Sequence, residues 1–198
     1  MKTVVTIGLF FLAALTMSGC GSRHAIKKEQ TPPAFFLEPN EAIAVMPFET
    51  ESVLSNLGAL LSGEVIVNLL EHRPELKIIH APVMRTYMLN AGGLPDVQKL
   101  QSLKTGLQCR YLLTGNLFTQ LGNVTYTPGY VNRIATGSVT VLLVDCDSST
   151  VVWAKHVKGD YSTLIYNNGN TIYQTDGELL QSLIKILGAE VAKNFYAH

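Results

Sequence analysis

Apolar residues follow three patterns along this chain. Residues 4–14 form one largely apolar run. Residues 53–71, and residues from about 173 to 196, repeat apolar positions every three or four residues. Shorter continuous or alternating runs fill 41–49, 76–80, 110–118, 138–146 and 151–157. In the first helical stretch, Leu57, Leu61, Val65 and Leu69 make a stripe that Leu60, Val67 and Leu70 widen. That spacing predicts an amphipathic helix, capped by Ser52 or Ser55 and stopped at Arg73-Pro74. Leu180, Leu183, Ile184, Leu187, Val191 and Phe195 give the last helix its buried stripe. A helix from Pro82 to about Asn90, the break Gly92-Gly93 and a short helix through Lys104 fill the middle. The shorter runs read as strands, the first ending at Pro47 and the last two joined by the turn 147–150. Their order predicts a parallel start and an antiparallel end. The fold class is therefore α/β (α+β mixed): a single three-layer-like domain, its mixed sheet packed by helices, in the order β-α-β-α-β-β-β-α.

The amino terminus carries a different signal. Lys2 precedes the apolar run, and Leu15-Thr16-Met17-Ser18-Gly19-Cys20 ends it in small residues before a cysteine. The run is too short for a comfortable membrane span, and the three parts together read as an export signal. The last part resembles a bacterial lipobox. That resemblance implies cleavage between Gly19 and Cys20, with a diacylglycerol and an N-acyl chain on Cys20. Several acyl chains, at roughly 0.8 kcal/mol per buried methylene, hold a protein on a membrane almost permanently. Gly21 and Ser22 follow, without the aspartate that keeps such proteins on the inner membrane, so the implied address is the periplasmic face of the outer membrane. The predicted organisation is a signal peptide at 1–19, an anchor and tether at 20–40, and a domain at 41–198. Residues 21–33 are polar and end in Pro32-Pro33. Phe35, Phe36 and Leu37 are an apolar cluster on this tether, and folding back onto the domain is the preferred reading over a partner or membrane contact.

Charge adds exclusions. The chain has 15 basic and 15 acidic residues, and removal of the leader takes Lys2 away, leaving a net charge of −1. No basic excess supports nucleic-acid binding. Residues 41–198 suffice for one domain with its own core.

Three strands carry a family resemblance. Ile43-Ala44-Val45-Met46-Pro47-Phe48 resembles the "IAVLPF" opening of TolB amino-terminal-like domains. Tyr111-Leu112-Leu113-Thr114-Gly115-Asn116-Leu117 resembles their "YvLtGnv" strand. Val141-Leu142-Leu143-Val144-Asp145 with Val151-Val152-Trp153 resembles their "v.l.lvd..tG.vvW" hairpin. The order and spacing span nearly all of residues 41–196. The wider group includes the curli secretion channel CsgG, the exopolysaccharide secretion lipoprotein PelC and the penicillin-binding-protein activator LpoB. Ser148-Ser149 stands where the family's turn has threonine and glycine. A CsgG-type pore is disfavoured, because the connection 122–136 is short for a membrane-spanning hairpin, and Pro128 and Arg133 suit one badly. Tyr126 and Tyr130 in that connection are either an adhesive tip for a partner or a solvated hairpin end.

No GxSxG, HExxH, GxxxxGK[ST] or GxGxxG is present, and the five histidines lack metal-type pairing. No catalytic residue, metal site or cofactor is expected. Asp145 and Asp147 read as turn stabilisers, and Glu41, Glu49 and Glu51 as a solvated edge. Cys109 precedes one strand and Cys146 ends the next, so an antiparallel pair would bring them together. In an oxidising periplasm a disulfide is expected, with two buried thiols as the alternative. A closed loop of about 37 residues would contribute about 3–4 kcal/mol on the chain-entropy model. Trp153 is either core packing or an anchor at lipid headgroups or a neighbouring subunit. The functional expectation is a non-catalytic outer-membrane lipoprotein, an accessory component of an envelope machine exporting polysaccharide or protein. Its expected partners are the membrane, envelope proteins and copies of itself in a ring. A regulator of a peptidoglycan synthase, as LpoB is, and a small-molecule-binding lipoprotein are the alternatives.

Overall fold

Residues 35–50, 56–81, 97–128, 130–166 and 174–196 are described by the structure, a computed structural model. The elements in chain order are β1 (Ala42–Val45), β2 (Glu49–Thr50), α1 (Leu57–His72), β3 (Lys77–His80), α2 (Val97–Leu107), β4 (Tyr111–Leu121), β5 (Thr125–Thr127), β6 (Tyr130–Asp145), β7 (Thr150–Tyr166) and α3 (Asp176–Ala192). A 3₁₀ turn, Lys193–Phe195, follows α3. The predicted fold class holds, with β2 and β5 as short additions.

The seven strands among the described residues form one sheet. Strands β3, β1 and β4 run parallel, with Ile43 facing Ile78 on one side and Tyr111 on the other. Strand β2 continues the line of β1 along β4. Strand β6 pairs antiparallel with β4 from Ala135 to Asp145, and with β5 from Tyr130 to Asn132. Its other edge pairs with β7 along its whole length.

Alternation along the strands sorts side chains to two faces. Ile43, Val45, Leu113, Val139, Val141 and Leu143 face α1 and α3 and build the main core with Leu61, Val65, Leu183 and Leu187. Ala44, Leu112 and Val144 face the other way and pack with Leu100 of α2, Cys109 and Cys146. Helices α1 and α3 touch closely at Gly188, where a Cβ would lie 2.6 Å from the Cβ of Glu64. Helix α3 starts with a capping box. Thr175 Oγ1 accepts from the Glu178 amide at 3.3 Å, and the Glu178 carboxylate accepts from the Thr175 amide at 2.7 Å.

Several boundaries differ from expectation. Helix α1 begins after Asn56, whose side chain makes no cap hydrogen bond; Ser52 and Ser55 lie outside the described residues, as do the helix expected at 82–90 and Glu51. Helix α2 runs on to Leu107. The largest difference is at β6 and β7, of 16 and 17 residues: β6 begins eight residues before its apolar run and β7 ends nine residues after its own. Backbone pairing carries them through Thr, Ser and Gly positions, where one face is open and no apolar alternation marks the strand. Much of the connection 122–136 is thus strand, in β5 and the start of β6, and its shortness no longer argues against a spanning hairpin. Its packing does: Val131 and Ala135 are buried, and Arg133 donates to Asp176 and to the Gln174 carbonyl at the start of α3.

Candidate interaction surface

The tether meets the domain at a built joint. Leu37 is fully buried in the main core, and the Phe35 ring lies edge-on to Tyr111 at 5.8 Å and to Phe195 at 6.5 Å. The Phe35 amide donates to the Asn194 carbonyl at 3.0 Å. Arg73, just past α1, donates from its guanidinium to the Phe195 carbonyl at 2.9 Å and the Leu37 carbonyl at 2.7 Å, and pairs with Glu75. Its guanidinium also lies over the exposed ring of Phe36, 5.6 Å from the centroid. The fold-back reading therefore holds for Phe35 and Leu37, which pack on the domain although both precede residue 41.

Trp153 sits beside this joint. Its ring is edge-on to Phe195 at 5.1 Å, and it packs against the main core while staying partly exposed. Sequence parity puts Val151, Trp153 and Val157 on one face, but a bulge intervenes. Leu143 pairs with Trp153 while Val144 pairs with Val151, so Val152 is unpaired and Val151 turns to the opposite face. Val151 and Val152 are both exposed.

Tyr126 and Tyr130 occupy the far end of the sheet. Tyr126 is 73% exposed and Tyr130 43%. Tyr126 pairs with Val131, and Thr127 with Tyr130. Alternation therefore sends the two rings to opposite faces of the ribbon, and they do not form one patch. On the α2 side of the sheet, beyond the part that α2 covers, lies an open cavity of about 330 Å³, lined by Glu49, Asn116, Phe118, Ser138 and Thr140 among others.

At the other end, Glu41 is not the solvated residue expected. Its side chain is 11% exposed, pairs with Arg110 and accepts from the Glu38 amide at 2.7 Å. Glu49 is exposed, as expected. Asp145 Oδ1 accepts from the amides of Asp147 at 2.8 Å and Ser148 at 3.0 Å, so this aspartate does stabilise the turn. Burial pushes its carboxyl upward, but the Ser148 and Asp147 amides and Arg110 outweigh that and hold it below the usual carboxylate range. Ser149 takes φ 56°, the left-handed conformation that a glycine would hold without strain. Cys109 and Cys146 are brought together as free, buried thiols; the bond expected between them is not formed in this structure. Of the histidines, His72 stacks on Tyr196 at 4.1 Å and His156 bonds Thr140, and no three metal-ligating side chains cluster among the described residues. Gly19 and Cys20 lie outside the described residues. Neither the Arg73 clamp nor the Arg110–Glu41 pair was visible in sequence, because each joins segments far apart in the chain. The apolar cluster on a polar tether was the one local sign of the joint.

No protein-family model and no curated protein sequence matches the chain. Solved structures do. A PelC L103M dodecamer from Paraburkholderia phytofirmans is 15% identical, covers 86% of this chain and 97% of its own, and superposes with a TM-score of 0.51. Lipoprotein GNA1162 from Neisseria meningitidis is 19% identical, over 77% and 98% of the two chains, with a TM-score of 0.38. The LpoB carboxy-terminal domain from Salmonella enterica is 10% identical, over 62% and 84%, with a TM-score of 0.38. The first likeness establishes a fold shared with PelC; identities this low establish no more than fold. No helix among the described residues is long and apolar enough to cross a membrane.

Proposed function

We propose that this chain is a non-catalytic lipoprotein, held on the periplasmic face of the outer membrane by acyl chains on Cys20, and that it assembles with copies of itself as an accessory component of an envelope export machine. The observation that carries this is the tether joint. Because Phe35 and Leu37 are bound into the domain, at most the 14 residues 21–34 separate the acylated cysteine from the fold. Fully stretched they span about 50 Å, and a flexible chain of that length averages about 20 Å end to end. A domain so tethered works at the membrane surface. The fold shared with a dodecameric PelC supports self-assembly, and the lipobox resemblance supports the anchor.

The runner-up is an activator that reaches a peptidoglycan synthase across the periplasm, as LpoB does. A connection of at most 14 residues argues against it. A small-molecule-binding role has only the open cavity at Phe118 in its favour. The test is the native mass of detergent-extracted, lipidated protein by light scattering, corrected for bound detergent. We expect a closed assembly of many subunits. A monomer would overturn the collar reading and move attention to wall-synthase partners.

A further inference from the structure

Cys109 and Cys146 are the two cysteines of the domain, and the fold places them at one corner. Cys109 lies between α2 and β4, and Cys146 directly follows β6. Tyr111 pairs with Asp145, and beyond that pair the Cys146 amide donates to the Arg110 carbonyl at 2.8 Å. Both thiols lie in the smaller core, against Ala44, Leu100, Leu112 and Val144. One side of this corner is open. A surface cavity of about 410 Å³ is lined by Lys104, Gln108, Cys109, Arg110 and Asp147 among others.

We propose that Cys109 and Cys146 close into a structural disulfide when the chain is exported, stapling the exit of α2 to the end of β6. The proposal rests on the export reading, because cytosolic thiols stay reduced. The oxidant is a protein or small-molecule disulfide of the oxidising compartment. The Cys109 thiolate attacks one sulfur of that disulfide and expels the other as a thiolate. Cys146, on losing its proton to solvent, attacks the Cys109 sulfur and expels the second thiolate. The pair thus gives up two protons and two electrons, and the oxidant's disulfide becomes a dithiol. Roles follow from the contacts. The Cys146 hydrogen bond holds the Cys109 thiol below its ordinary range, while the same contact, together with burial, pushes Cys146 well above it. The bond would tie strand ends that are already paired, so it needs no rearrangement of the sheet.

The experiment uses the full chain, expressed with its own leader in a bacterium with two membranes. Membrane and cytoplasmic fractions are denatured, alkylated with and without prior reduction, and weighed intact. Acylated Cys20 cannot be labelled. The expected result is a lipidated chain that takes no label before reduction and two labels after it. Its thermal midpoint should fall by about 10 °C in reductant, and that shift should vanish in the Cys109→Ala/Cys146→Ala variant. A lipidated chain that takes two labels without reductant overturns the disulfide and leaves the export reading intact. Disulfide-linked dimers on a non-reducing gel overturn it as well. A chain that keeps its leader, stays in the cytoplasm and takes three labels overturns both readings.

Discussion

Against one face of the sheet lie α1 and α3; against the other, among the described residues, lies α2. The first face holds a continuous core that runs from Leu37 through Leu183 to Phe195. The second gathers Ala44, Leu100, Leu112 and Val144 around two cysteines, and the rest of that face is open from Asn116 to Tyr130. The two faces share the same strands, so the difference comes from which positions are aliphatic and large. It teaches that burial on one face is enough to fix the register, since a one-residue slip would expose Ile43, Leu113 and Val141 together. The other face is then free to carry surface roles.

The comparison breaks most directly with one substitution made on both sides. Leu183 is fully buried between α3 and the sheet, where its methyl group lies against Gly137. Leu183→Ala should cost about 3–5 kcal/mol, near the top of the range for large-to-small core changes. Leu100 is as buried, but in the small cluster under a single helix. Leu100→Ala should cost about 2 kcal/mol, because that site collapses more readily. Urea unfolding of both variants measures the difference. Equal costs would mean that the second face is packed as firmly as the first.

Glycines sharpen the same contrast through opposite signs. A Cβ on Gly188 would meet Glu64 at 2.6 Å, so Gly188→Ala should push α1 from α3 and cost about 2 kcal/mol. Gly106 in α2 has nothing within 4 Å of its would-be Cβ. Gly106→Ala should stabilise by about 0.5 kcal/mol through helix propensity and reduced chain entropy. Thermal midpoints of the two variants should therefore move in opposite directions.

The two faces also differ in how well sequence reveals them. Helices α1 and α3 and the inner parts of β1, β4 and β6 were legible, because their buried stripes keep a strict period. The outer reaches of β6 and β7 were not. At Thr136 and Lys158 no apolar alternation marks the strands, because small residues such as Ala135, Gly137 and Gly159 form the face that meets α3. The bulge at Val152 was hidden too, since no special residue is needed to form it, and it reversed the facing read for Val151. Contacts such as Arg73 with Phe195 depend on the closed fold and leave no local pattern. The corner turn lies between these extremes. Asp145 announced its role, whereas the left-handed Ser149 showed only as a departure from the family's glycine.

That corner gives the next effect in size. Ser149→Gly should stabilise by about 1 kcal/mol, since the strain of a side chain at φ 56° is removed, less the entropy glycine adds to the unfolded chain. Asp145→Asn should cost about 1 kcal/mol through weaker acceptance from the Asp147 and Ser148 amides. It should also change the acid response. The folded Asp145 carboxyl titrates below its unfolded value, so its contribution is complete above about pH 4 and is lost as pH falls through the folded pKa. Stability measured from pH 6 down to pH 2 should fall less steeply in the variant. An unchanged slope would remove Asp145 from the acid-sensitive groups.

The smallest effect on stability belongs to the open end, and there the function should respond instead. Tyr126 is 73% exposed on a three-residue strand, and its ring points away from that of Tyr130. Tyr126→Ser should change unfolding stability by less than about 0.5 kcal/mol, as surface substitutions do. An exposed aromatic ring costs little entropy to bury and gives much contact area, so it suits a subunit or partner interface. The native mass of the lipidated variant should therefore fall below that of the parent while the fold stays intact. If stability and mass both hold, the tip is a solvated hairpin end. The assembly surface would then have to be sought at the tether joint, beside Phe36, Val151 and Val152.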